Sequence, residues 1–316
     1  GNTVIENSFV TGRVEAEGHA GALVADVGDS SVSITNAAWD TGTSGQSDAI
    51  GYVPSSYTPT LTNTGTRTTA QMQGTLDFGL GFSLDNSIWA TSDGLYPYFS
   101  WQYDTTPVAV SGKAYSDNGS TALAGANVNA ITGGNLLGSA ATGANGYYYI
   151  LREAGSLDAS GVLTYLDGES IQGAAFGDEV TATGISGLDI FGPSLHLLTA
   201  ETTLTGTLAN LAAAIGAFAD TDFDFIDMGS AGLTTGGEGV TVDASSGYAL
   251  DRALSVGDFL SVSSDGDITV DEAITWTGTG ELSFDAGNDI ALNAAIDDEN
   301  GEVTLTARGN GGSDER

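Results

Sequence analysis

The chain has 316 residues, of which 41 are Asp or Glu and only 7 are Lys or Arg, giving a formal charge of −34, and it contains 46 Gly and no Cys. So few cations exclude a nucleic-acid partner, because nothing replaces the phosphate counterions, and the same charge opposes binding to anionic lipid. No run of about 18 apolar residues occurs, so no membrane insertion is expected.

An apolar fraction of 41%, with 11 Tyr, 11 Phe and 4 Trp, points to a folded chain rather than an acidic linker. The length accommodates two or three domains. The sequence opens Gly1-Asn2-Thr3, without an initiator Met or a charged-then-apolar leader. It is therefore expected to be a segment of a longer exported protein whose secretion signal lies elsewhere. A repetitive β-fold needs no disulfides, because each turn buries its apolar face on the next.

At the N-terminus, Ile5-Glu-Asn7-Ser-Phe9 returns as Ile34-Thr-Asn36-Ala-Ala-Trp39, an offset of 29 residues. The small residues from Gly18 to Ala22 suit a close backbone approach at a corner. Residues 1–53 are thus expected to form β-solenoid coils. Residues 54–106 are less regular and read as an aromatic-rich cap. Within them Thr68 or Thr69 is placed to cap a helical turn before Met72. Trp89, Tyr96, Tyr98, Phe99, Trp101 and Tyr103 surround Pro97. They read as a plug on the end of the first solenoid, with a sugar-stacking platform as the alternative.

From Pro107 a separate strand series begins. Val108-Ala-Val110, Ala126 to Ala130, Tyr147 to Ile150 and Val162 to Tyr165 are divided by turn signals such as Asp117-Asn-Gly119 and Ala144-Asn-Gly146. Residues 107–200 read as a small β-sandwich. The apolar spacing of Leu204, Leu208, Leu211, Ile215 and Phe218 predicts a short helix near 204–218, within a connector spanning 201–229.

The last section, residues 230–316, repeats plainly. Leu250 and Leu254 recur as Val270 and Ile274, then as Leu292 and Ile296, with offsets of 20 and 22 residues. Leu260-Ser-Val262 recurs in phase as Leu282-Ser-Phe284 and Val303-Thr-Leu305. Units this short cannot bury an inner face alone, so they stack as a parallel solenoid, with Leu250, Val270 and Leu292 in one inward column. An antiparallel meander would share the alternation but not the constant phase across two strands. The predicted fold class is therefore all-β, with parallel β-solenoid segments flanking a small β-sandwich.

These motifs carry a resemblance. The stretch from Ile5 to Val14, followed by Gly18 to Val24, resembles the GLUG-type repeat of bacterial surface proteins, with Phe9 and Val10 in place of its Tyr-Ala. The runs Ala38 to Gln46, Arg67 to Gln73 and Tyr96 to Gln102 are similar to the end of the GLUG section in filamentous-haemagglutinin-like exoproteins. Val110 to Tyr115, Leu123 to Val128 and Thr142 to Ile150 resemble a carboxypeptidase-regulatory-type β-sandwich. The closing units resemble haemagglutinin solenoid repeats. The resemblance implies two-partner secretion through an outer-membrane secretion transporter, and an extracellular place on the bacterial surface or in a secreted matrix.

Catalytic signatures are sparse. His19 and His196 lack a Cys or His neighbour at metal-ligand spacing, and neither a P-loop nor a Gly-x-Ser-x-Gly elbow is present. The chain therefore reads as a non-enzyme acting in adhesion, bound to a cell-surface glycan or protein. The alternatives are self-association into an extracellular fibre or biofilm matrix, and a polysaccharide-acting β-helix enzyme using paired carboxylates. The abundant carboxylates suit a hard cation such as Ca²⁺. Asp220, Asp222 and Asp224 alternate with Phe223 and Phe225. On a strand the three carboxylates share one face, either as a Ca²⁺ site or as a solvated outer face.

Overall fold

The computed structural model describes residues 2–28, 31–230, 232–298 and 302–309. Strands Asn2–Val10, Ser31–Asp40 and Thr60–Arg67 lie parallel and in register, with Ile5 beside Ile34 and Ile34 beside Leu61. Val24–Asp26 and Ile50–Tyr52 pair as a second wall. The N-terminal repeat is therefore a coil stack, and a third coil strand extends it into the stretch expected to be irregular.

Asparagine shapes these strands. Asn7, Asn36 and Asn63 take φ values of +49°, +56° and +51°, a left-handed conformation that Asn tolerates better than most residues. The kink resets the side-chain alternation. Val32, Ile34, Ala37 and Trp39 all join the coil interior, while Ala38 belongs to a different apolar cluster.

That reset explains the aromatic segment. Phe9, Ala38 and Gly65 stand in one column on the outer flank of the sheet. Phe78 and Trp89 meet Phe9 with ring centroids 6.1 and 5.3 Å away. A Cβ on Gly65 would lie 2.8 Å from Leu80. The aromatic residues thus buttress the flank across all three coils rather than plugging the end of the stack. Helix α1 (Thr41–Ser44) follows the second coil strand. Helix α2 (Thr69–Met72) starts at Thr68 with a reciprocal capping box to Gln71.

The β-sandwich strands start at Val108, Tyr147 and Val162 as expected, and at Asn127, one residue after the expected Ala126. One sheet pairs Val108–Tyr115 with Tyr147–Arg152; the other runs through Asn135–Ala141, Asn127–Thr132, Val162–Leu166 and Ala174–Gly177. The three consecutive tyrosines divide by strand alternation. Tyr148 enters the sandwich core, while Tyr147 and Tyr149 pack against the aromatic flank.

The second sheet does not stop at the sandwich. Ser194–Thr199 pairs in parallel with Ala174–Gly177 on one side and Gly239–Ala244 on the other. The same sheet continues through Leu260–Ser264, Leu282–Ala286 and Val303–Ala307, nine strands in all. Helix α3 (Leu204–Ile215), N-capped by the Thr203 hydroxyl, buries Leu204, Leu208 and Leu211 in the same core as Tyr248 and Leu250. It closes the solenoid end with apolar side chains.

The C-terminal coils stack as the repeat predicts. Leu250, Val270 and Leu292 are in parallel register, as are Leu254, Ile274 and Ile296. Leu250 and Val270 are fully buried, but Leu292 is 45% exposed because no described coil covers it.

Candidate functional site

The acidic run from Asp220 is not a strand. Its Asp220 carboxylate accepts from the Asp222 backbone N–H at 3.1 Å and starts a 3-10 turn over Thr221–Phe223. This local bond competes with extended structure and breaks the alternation. Phe223 and Phe225 are both buried, as expected. The three predicted ligands are nevertheless not brought together. Asp220 and Asp222 gather with Asp167, one carboxylate oxygen of each lying within 4.8 Å of the others, while Asp224 lies outside the group and ends the turn. Tyr165 donates to Asp220 at 2.9 Å and the Gly168 N–H to Asp222 at 2.8 Å. Partial burial, followed by the charges of Asp220 and Asp222, pushes the Asp167 carboxyl above its ordinary value. Such a group attracts a cation by charge, with half its oxygens already engaged.

The second feature is a ring stack. Trp89 stacks on Phe99 at 4.3 Å and Phe99 on Trp101 at 5.2 Å. Trp89 is anchored on Phe9, yet Trp101 is 74% exposed. A large aromatic side chain stacked on one face and open to water on the other presents a free π-face. Directly after it in the chain, Gln102, Tyr103, Asp104 and Thr105 join Glu153 around a polar pocket of about 290 Å³.

A larger cleft of about 600 Å³ opens where the first coil stack, its aromatic flank and the sandwich meet. Asp40 forms its floor and is fully buried. The Asp40 carboxylate accepts four bonds: Gly42 N–H at 2.9 Å, Thr43 N–H at 3.3 Å, the Thr69 hydroxyl at 2.6 Å and the Tyr96 hydroxyl at 2.8 Å. Those donors fill its lone-pair sites, so it ties the elements together rather than facing a ligand. Lys113, the chain's single lysine, lines the wall with Asp189. The Lys113 backbone N–H donates to Asp189 at 2.8 Å. Burial pushes the Asp189 carboxyl up, against the lowering effects of that bond and of the His196 and Lys113 charges.

His196 is buried on the strand Ser194–Thr199, where sandwich and coils join. Its Nδ1 lies 2.7 Å from the Asp189 carbonyl oxygen and its Nε2 2.9 Å from Asp243. Both ring nitrogens therefore face oxygen atoms of the protein. The His196 bond, helped by the Ser263 hydroxyl, holds the Asp243 carboxyl below the usual range despite burial. His19 instead stacks on Tyr52 at 4.4 Å.

No family model matches the chain, and neither the curated proteins nor the solved structures include a match.

Proposed function

We propose that this chain is an adhesive segment of a large secreted bacterial surface protein and that it holds glycans without turning them over. The observation that carries this proposal is the stack ending in Trp101. Three rings anchored on Phe9 keep an indole 74% exposed. Sugar C–H faces pack on such a ring, and the adjacent amide, phenol and carboxylate groups offer partners for hydroxyls. The continuous nine-stranded sheet supports the same role, because it couples the sandwich rigidly to a coil stack suited to spacing a binding surface from a cell. Export through an outer-membrane transporter, and an extracellular place, are part of the proposal and rest on the sequence resemblance.

Affinity electrophoresis through gels carrying a panel of neutral and acidic polysaccharides tests it. Wild type is expected to be retarded by at least one neutral polysaccharide, and Trp101→Ala to be retarded less. Equal migration of the two proteins in every gel would overturn it.

A further inference from the structure

We propose that the cleft between the first coil stack and the sandwich is a second, separate site for a short neutral oligosaccharide, lined by Gln73, Lys113, Asn145, Tyr147 and Asp189. The proposal rests on the glycan-binding function above, but on none of the residues around Trp101.

The cleft volume of about 600 Å³ falls within the range of small-molecule sites, and its position at a junction of structural units is a common one for them. Its floor is fixed. Asp40 takes four donors from α1, α2 and the aromatic flank, so the rim cannot shift without breaking buried bonds. Its aromatic wall is fixed as well. The Tyr147 hydroxyl accepts from Gln73 Nε2 at 3.0 Å, and the Tyr147 backbone N–H donates to Asn145 Oδ1 at 3.1 Å.

The polar groups around that ring determine the ligand chemistry. Lys113 is a donor and the free oxygens of Gln73 and Asp189 are acceptors. Hydroxyl groups, which donate and accept at once, satisfy both kinds. An anionic ligand would meet one ammonium against the Asp189 carboxylate, in a chain of net charge −34. A cationic ligand would meet Lys113, and the buried Asp40 carboxylate is already saturated. A neutral polyol with an apolar ring face for Tyr147 fits this mixture, and two to three sugar rings fit the volume.

The test is titration calorimetry of the whole chain with cellotriose, chitotriose, mannotriose and trigalacturonate. The proteins compared are wild type, Gln73→Ala, Lys113→Met, the Gln73→Ala/Lys113→Met pair and Trp101→Ala. Circular dichroism checks that each variant folds. At least one neutral trisaccharide is expected to bind wild type and Trp101→Ala alike. Each cleft substitution is expected to weaken binding about tenfold, in line with about 1.4 kcal/mol for loss of a polar partner. The pair is expected to remove measurable binding. Three outcomes would overturn the cleft proposal: no neutral trisaccharide binds, trigalacturonate binds most tightly, or the cleft variants bind like wild type. If only Trp101→Ala abolishes binding, the cleft proposal fails and adhesion through the ring stack survives. If the cleft variants lose binding and Trp101→Ala does not alter retention on polysaccharide gels, the ring-stack proposal fails instead.

Discussion

Asn36 donates its side-chain amide to Asn7 at 2.9 Å, and Asn63 repeats the bond onto Asn36 at the same distance. All three residues have positive φ, so one residue type supplies both the kink and the ladder that joins the coils. Asn36→Ala loses two ladder bonds and strains the backbone, for a cost of about 2–4 kcal/mol. Asn36→Gly relieves the strain and loses only the bonds, about 1–2 kcal/mol. Denaturant unfolding followed by near-ultraviolet circular dichroism measures both. Equal losses would show that the kink does not depend on the left-handed residue.

Val270 and Leu292 occupy the same column but differ in cover. Val270→Asp places an unpaired charge among Leu250, Ile268 and Ile274, and is expected to unfold the neighbouring coils. Leu292→Asp, at a position 45% exposed, is expected to change stability by less than about 1 kcal/mol. Thermal melts of the two variants decide. A tolerated Val270→Asp would contradict the stacked core.

The Asp243–His196 pair predicts a pH dependence. The Asp243 carboxyl is lower in the folded than in the unfolded chain, so its contribution is present above the ordinary carboxylate range. That contribution is lost as pH falls through the lowered value. Asp243 is partly open to solvent, so Asp243→Asn should cost only about 1 kcal/mol at neutral pH. It should also flatten stability against pH on the acid side. A stability curve identical to wild type from pH 7 down to pH 3 would contradict the pairing.

Asp167 behaves in the opposite sense. Its carboxyl is raised in the fold, so ionising it opposes folding at neutral pH and protonating it on acidification favours folding. Divalent cations should relieve that repulsion together with the general repulsion of a charge of −34. Melting temperatures are expected to rise gradually and equally with Ca²⁺ and Mg²⁺ at matched ionic strength, for wild type and Asp222→Asn alike. A saturating rise selective for Ca²⁺ and absent in Asp222→Asn would contradict this, because only a defined oxygen cage discriminates the two ions.

Much of the fold was legible in the sequence, because the coil period is short and its apolar residues are regular. Leu250, Val270 and Leu254, Ile274 announced their columns by constant phase. Asn63 is the less legible third rung because the flank after it changes: the Phe9 position becomes Ala38 and then Gly65, leaving only Leu61-Thr-Asn63 to match Ile34-Thr-Asn36. The acid run at Asp220 kept the period of a strand, but a side-chain bond to the Asp222 N–H diverted it into a turn. Asp167 is distant in sequence and becomes a neighbour only when strand Val162–Leu166 packs beside that turn. The cleft draws its lining from separate elements, so no local motif marks it. One signal was available in the composition: the chain's single lysine, Lys113, lines it.

The most direct test of glycan adhesion without turnover follows both quantities on one sample. Wild-type protein is incubated with a polysaccharide that retards it, and bound protein, new reducing ends and unsaturated uronate are measured together over hours. The expected result is stable retention that Trp101→Ala weakens, with no accumulation of either product. Reproducible product formation that disappears on substituting a pair of Asp residues would contradict the account and establish a polysaccharide-degrading enzyme instead.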